Sequence, residues 1–192
     1  MVLGDNIFYG NEFGKILRDA KIDAELRGRA TVFGYYVNET ERFSAVTFDK
    51  KGTAISIEEK PKCPKINYAV TGLYFYPSGV SKKAKLVKPS AREELEITSL
   101  NEMHWNQEEF DVQLLCRGFA WSDTGTMDSL VEMADFVQMI EKCQEITISA
   151  SEGIAYINKW ISEEKLLESV ERYGKSPHGT RLKAVDEGKV YY

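Results

Sequence analysis

A chain of 192 residues, 43% apolar and 29% charged with a net charge of -5, has room for one domain with a real core and a small appendage. The acidic balance argues against a nucleic-acid polymer as partner, because such binding needs clustered Lys and Arg to displace counterions. No apolar run approaches the roughly 18 residues of a membrane helix, and the first apolar run lacks the basic flank of a signal peptide.

The chain opens on VLGDNIFYG, residues 2–10, an apolar strand that runs straight into Gly4, Asp5 and Asn6. A strand at a chain terminus frays unless others flank it, whereas an Asp at the carboxyl end of a parallel strand is where open α/β sheets place ligand groups. The stretch therefore reads as the middle of a domain, with Val2–Asp5 as a buried strand. RATVFGYYV, residues 29–37, is rich in β-branched and aromatic residues and predicts a strand. FSAVTFD and AISIEEKP flank KKGT, where Gly52 supplies a permissive turn position, so a hairpin is expected. YAVTGLYFY, residues 68–76, is a further strand stopped by Pro77 and Ser78.

Helical signals follow over residues 78–87, where Lys82–Lys88 reads as a solvated helix face, and a second helix holds residues 97–105. FDVQLLCRGFAW returns as extended chain. From Thr126 the period changes, with Leu130, Met133, Ala134, Val137 and Ile140 on one helical face. ISEEKLLESVERYGK then has Ser162 as N-cap, Glu163 and Glu164 in the first turn, and Gly174 as a stop. Interleaved strands and helices followed by a helical tail predict an α/β domain over residues 1–142 and a helical appendage over 143–192. His104 and His178 are expected at the surface with no zinc site, and Cys63, Cys116 and Cys143 are expected as reduced thiols in a cytoplasmic protein.

Three islands carry chemistry. In Gly4-Asp5-Asn6 the carboxylate either caps a turn or holds a hard cation such as Mg²⁺. In EEKP, residues 58–61, strand alternation puts Glu58 and Lys60 on one side and Glu59 on the other. A surface salt bridge is one reading; a Lys for phosphate beside a Glu for sugar hydroxyls is the other. In GFAWSDTGT, residues 118–126, Asp123 or Thr126 either caps the following helix or Asp123 joins Asp5 on one metal. Neither a Ser-His-Asp set nor a Gly-rich phosphate loop is present.

Taken in order, VLGDNIFYG, ATVFGYYVN, FDKKGTAISIEEKPK, NYAVTGLYFY, KPSAREELEIT, RGFAWSDTGT and SASEGIA resemble the sugar nucleotidyltransferases, most closely the group that joins dTTP to glucose 1-phosphate. The resemblance implies a Rossmann-like fold with a mixed, mostly parallel sheet and helices on both faces. It implies dTDP-glucose and pyrophosphate as products, feeding deoxysugars of the dTDP-rhamnose type. The in-line attack on the α-phosphorus needs Mg²⁺ and cations but no covalent intermediate. The family's N-terminal segment, with its Gly-rich loop, Arg and Lys for the triphosphate, has no counterpart here. The expectation is a chain lacking its first third, with Val2–Asp5 as a central strand, and without turnover on its own.

Carried over by resemblance, Asp5 and Asp123 are the metal carboxylates and, with Lys60 on the sugar phosphate, the catalytic set. Asn6, Glu59 (for a sugar hydroxyl), Val70 and Trp121 belong to the substrate pocket. Phe43 and Ser44 join it where the family has Tyr-Gly, a change that alters a backbone contact to the sugar. Glu93 replaces another family Gly and reads as a surface change without consequence. A regulatory nucleotide site would involve Gly10, Arg117, Ser149, Glu152 and Gly153, although the last stretch equally suits a loop between helices. The resemblance also implies a homotetramer. Two rival readings stay open: a uridylyltransferase, or a non-catalytic module that binds a sugar phosphate or nucleotide.

Overall fold

In the computed structural model, residues 1–49, 54–62, 67–90 and 92–190 are described, and they divide into two compact units, Met1–Leu130 and Val131–Tyr192. The first unit contains β1 (Asn6–Gly10), α1 (Phe13–Leu26), β2 (Ala30–Tyr36), a 3₁₀ turn (Thr40–Arg42), β3 (Ala45–Phe48), β4 (Ala54–Glu58) and β5 (Tyr68–Phe75). It continues with α2 (Val80–Ala84), α3 (Ile97–Trp105), β6 (Phe110–Leu115), β7 (Phe119–Asp123) and the start of α4 (Met127–Gln144). Five strands form one sheet in the order β4-β3-β5-β2-β6, while β1 and β7 pair as a two-stranded antiparallel ribbon.

The fold is α/β and the sheet is mixed, as expected, but its parallel share is smaller than the sequence suggests. Among the described residues only β2 and β6 run parallel; β2–β5, β3–β5 and β3–β4 are antiparallel. Alternation of apolar residues marks a strand without marking its direction, and a short connection such as that from β3 to β4 returns the chain antiparallel. The hairpin ladder is present, although its turn at Gly52 lies outside the described residues.

Successive side chains of β2 point to opposite faces. Val32 packs with Val46, Ile57, Val70 and Phe110 under Ile97 and Trp105 of α3. Phe33 packs with Leu115 and Ala20 of α1. Helices therefore cover both faces of the sheet, and α1, for which the sequence set no expectation, supplies one of them.

The buried strand expected at Val2–Asp5 is not formed. Residues 1–3 run along β5, with Met1 and Tyr74 exchanging backbone bonds and Leu3 N–H donating to Gly72, but Val2 and Leu3 stay exposed. Gly4 and Asp5 then turn the chain, so β1 begins at Asn6. Two basic and histidine expectations also change. α2 spans five residues only, and its Lys83 reaches inward to His104 Nδ1 (3.2 Å) and Glu109 Oε2 (2.9 Å). His104 is fully buried, because α3 turns Thr98, Asn101 and His104 to the core and Tyr76 lies against the imidazole.

The second unit holds the rest of α4, α5 (Ser151–Ile157), α6 (Glu163–Tyr173) and α7 (Pro177–Asp186) around buried Leu166, Leu182 and Val185. Ser162 accepts from Lys165 N–H and Ser176 from Gly179 N–H, so both helices begin on side-chain caps. Gly179 is required by packing: a Cβ there would lie 2.3 Å from the Gly174 carbonyl oxygen. Of the apolar face expected on α4, Met133 alone is buried, and Leu130 and Ala134 are exposed. His178, expected at the surface, is half-buried against Tyr173. Cys116 and Cys143 are free and exposed, and Cys63 lies outside the described residues. Among those residues no helix is long and apolar enough to cross a membrane.

Candidate active site

A cleft of about 290 Å³ in the first unit gathers most of the residues singled out from the sequence. Asn6, Phe43, Ser44, Glu59, Lys60, Val70 and Asp123 all line it, with Tyr74 and Ile97 beside them. β4 ends at Glu58, and Lys60 takes a left-handed φ of 41° with its N–H on the Phe43 carbonyl. This early exit corrects the expected alternation. Beyond the strand end the pleat no longer applies, so Lys60 joins Glu59 in the cleft instead of sharing a side with Glu58.

Glu59 is held by the fold. Its Oε2 accepts from the hydroxyls of Ser44 and Thr98, and its Oε1 lies 3.9 Å from Arg92 Nη1. The surface Glu–Lys60 bridge that the pattern suggests does not form among the described residues; the partner of Glu59 is Arg92. Arg92 also pairs with Glu94 (3.2 Å) and Glu96 (3.8 Å). Tyr74 is buried near Glu59, and burial, then the Glu59 charge, pushes its phenol up to about 12, so it stays a neutral donor at physiological pH.

Asp5 and Asp123 meet across the ribbon, where Asn6 pairs with Asp123 in register and Thr124 donates both N–H and O–H to the Asp5 carbonyl. A Cβ built on Gly125 would stand 2.9 Å from Asp123 Oδ1 and 3.9 Å from Asp5 Oδ2, so both carboxylates border one small space. Asp5 Oδ1 accepts from Asn6 Nδ2 and Asp123 Oδ1 from Gly125 N–H, while the second oxygen of each has no partner among the described residues. Two oriented carboxylates with open oxygens suit Mg²⁺, which is commonly bound through one or two carboxylates plus substrate phosphates and water. Among the described residues no group of three or more His, Cys, Asp or Glu side chains is placed to hold a metal ion. The helix cap goes to Thr126, which exchanges side-chain and backbone bonds with Ser129 in a capping box.

Trp121 is not on the cleft wall. It is buried behind it against Tyr35 and Phe43, and its indole N–H donates to Asn6 Oδ1 (2.7 Å). Asn6 also accepts from Gly72 N–H and packs where a Gly72 Cβ would be. Of the regulatory set, Gly10 and Arg117 belong to the first unit, and Gly10 leaves room for the Phe119 ring. Ser149, Glu152 and Gly153 belong to the second, where Gly153 and Glu152 are part of α5 and not of a loop. Glu152 bonds Tyr173 Oη (3.0 Å), Ser151 and His178, and its own backbone amide with these donors holds the carboxyl below the usual carboxylate range.

The sequence reading missed Thr98, Arg92 and Gly72. Thr98 and Arg92 lie within the quoted KPSAREELEIT stretch but carry no period or pairing signal, and only the fold brings them to Glu59.

The nucleotidyl transferase family model matches residues 1–139. The glucose-1-phosphate thymidylyltransferase of Neisseria meningitidis serogroup A is 50% identical over 182 residues, 95% of this chain and 62% of that protein. The enzyme of the same name from Mycobacterium tuberculosis is 43% identical over the same shares. The chain thus spans about three fifths of the length of these curated relatives. A crystal structure of a Bacillus anthracis protein described as a glucose-1-phosphate thymidylyltransferase, in complex with sucrose, is 36% identical with a TM-score of 0.58, covering 70% of this chain and 52% of that one. A UDP-glucose pyrophosphorylase complexed with UDP-glucose gives a TM-score of 0.59 at 16% identity over 70% of this chain and 54% of its own, a likeness of fold alone. With the match running through the whole unit that carries the cleft, the chain belongs to the nucleotidyl transferase family.

Proposed function

We propose that this chain supplies the sugar-phosphate half of a glucose-1-phosphate thymidylyltransferase, which joins dTTP and glucose 1-phosphate into dTDP-glucose and pyrophosphate. The observation that carries the reading is the convergence of Asn6, Glu59, Lys60, Val70 and Asp123 on one cleft, in a chain half identical to an enzyme of that name. Glu59 accepts a sugar hydroxyl, Val70 packs against the ring, and Lys60 holds the phosphate. Lys60 thereby keeps the attacking phosphate oxygen oriented for in-line displacement at the α-phosphorus. Asp5 and Asp123 would hold Mg²⁺, which when bound neutralises charge on the phosphates. In the same reading residues 1–142 form the catalytic domain, 143–192 an appendage, and the protein works as a cytoplasmic homo-oligomer.

The test is calorimetric titration of the 192-residue chain with glucose 1-phosphate, paired with pyrophosphate release from dTTP, Mg²⁺ and glucose 1-phosphate. Binding is expected without turnover, because the sequence holds no Gly-rich cradle for the triphosphate and losing even one such donor costs about 10² to 10³ in rate. Lys60→Ala should weaken binding by about tenfold or more, since a charge-assisted contact to phosphate is lost. Equal binding by wild type and Lys60→Ala would remove Lys60 from the site.

A further inference from the structure

Two hydroxyls, those of Ser44 and Thr98, stand against the Glu59 carboxylate. Thr98, in the first turn of α3, is almost fully buried, and its Oγ1 lies 2.5 Å from Glu59 Oε2. Ser44 is also buried, and its Oγ donates to the same Oε2 while lying 2.9 Å from Thr98 Oγ1. A carboxylate only accepts, and each hydroxyl carries one proton. Both protons therefore point at Oε2, and the protein itself fills that oxygen.

Oε1 is different. Among the described residues the donor facing it is Arg92 Nη1 at 3.9 Å, beyond hydrogen-bond length, and Glu94 and Glu96 compete for the same guanidinium. Oε1 is thus the oxygen with acceptor capacity left. Both donors to Oε2 stand on fixed backbone. Thr98 belongs to a helix, and the Ser44 carbonyl accepts from Val70 N–H at 2.7 Å, tying the Ser44 segment to the strand that lines the cleft. Ser44 is also one of the positions where the sequence departs from the family resemblance. There the departure adds a donor to Glu59.

We infer that Thr98 and Ser44 are positioning residues that lock Glu59 so that Oε1 alone reads one sugar hydroxyl, making the pair a determinant of sugar specificity. This rests on the glucose 1-phosphate reading of the cleft. Without the lock the carboxylate rotates about its last torsion, which is broad and roughly two-fold. Either oxygen then meets the sugar at a poorer angle, and the hydroxyl is read less sharply while the phosphate contact at Lys60 is unchanged.

The experiment compares Kd values of the chain for glucose 1-phosphate and for its 2-, 3-, 4- and 6-deoxy analogues. Wild type is expected to bind one analogue about tenfold more weakly than the parent, the equivalent of one hydrogen bond to a charged group. Glu59→Gln should collapse that ratio, Thr98→Val should reduce it to about threefold or less, and Thr98→Ser should restore it, because the hydroxyl is what matters. A merely structural role for Thr98 would weaken every ligand alike and leave the ratio intact, which would overturn the inference. Should Thr98→Val not fold, Ser44→Ala carries the same test with the same two outcomes. A wild-type chain with no discrimination among the analogues would sink the reading of Glu59 itself, a result separate from retained discrimination in Thr98→Val.

Discussion

Glu93 adopts φ +62°, a left-handed conformation that costs a residue with a Cβ about 1 to 2 kcal/mol and Gly almost nothing. What reads in sequence as an inert surface change is therefore a backbone liability at the edge of the cleft segment. Glu93→Gly relieves the strain but adds freedom to the unfolded chain, so a net gain of about 0.5 kcal/mol is expected, measured as a rise in the urea midpoint at constant m. Asn6 is the opposite case, a small polar residue that the fold depends on. Its amide serves Trp121 Nε1, Gly72 N–H and the Asp5 carboxylate at once. Asn6→Leu strands two buried donors and should cost about 1 to 3 kcal/mol, with a shift in tryptophan emission as the Trp121 indole loses its acceptor. The residues of the cleft were legible as motif fragments because Asp, Glu and Lys there interrupt strand patterns. Their supports were not, since a Thr or a Gly carries no sign of the carboxylate or amide it will face.

At the scale of elements, local rules reached furthest where an element is decided locally. β5 and α3 fall where turn residues and period put them, and α6 begins on Ser162 and ends at Gly174 as its caps dictate. Strand direction was not legible, because pairing is settled by which strands meet and not by their own residues. The buried face of α3 was equally hidden, since Thr98, Asn101 and His104 recur at helical spacing without being apolar. That face has a pH consequence. Burial, then the positive charge of Lys83, lowers the pKa of His104 below its ordinary 6.5, with Glu109 opposing. A depressed pKa means the unfolded chain takes up the proton first, so the stabilisation is complete above about pH 6.5 and is lost as pH falls through the folded value. Glu109, held low by its bond to Lys83, adds a further loss only below its ordinary 4.5. Thermal melts from about pH 7.5 down to about pH 5.5 should show a falling midpoint, and His104→Gln should flatten that slope. A midpoint that is flat in the wild type over this range would rule the imidazole out as the cause.

Self-association belongs to the whole molecule, and apolar surface drives it. Among the described residues β4 and β6 are the outer strands of the five-stranded sheet, each paired on one side only, and Ile55 on β4 is exposed. Unpaired strand edges with apolar side chains invite pairing with another chain. On α4, Met127, Leu130, Val131 and Met139 are also exposed. Apolar side chains left in water on a helix are expected to find cover, and in a solution of one protein the cover available is a second copy. Light scattering should therefore give a mass of at least two chains at high micromolar concentration, falling toward one chain on dilution. Added salt should leave the association in place, because buried apolar area is not screened as surface ion pairs are. Leu130→Lys and Ile55→Lys separate the two surfaces. Whichever variant lowers the mass at fixed concentration names the contact, and a wild type that stays a single chain throughout would show that neither surface is sticky enough to matter.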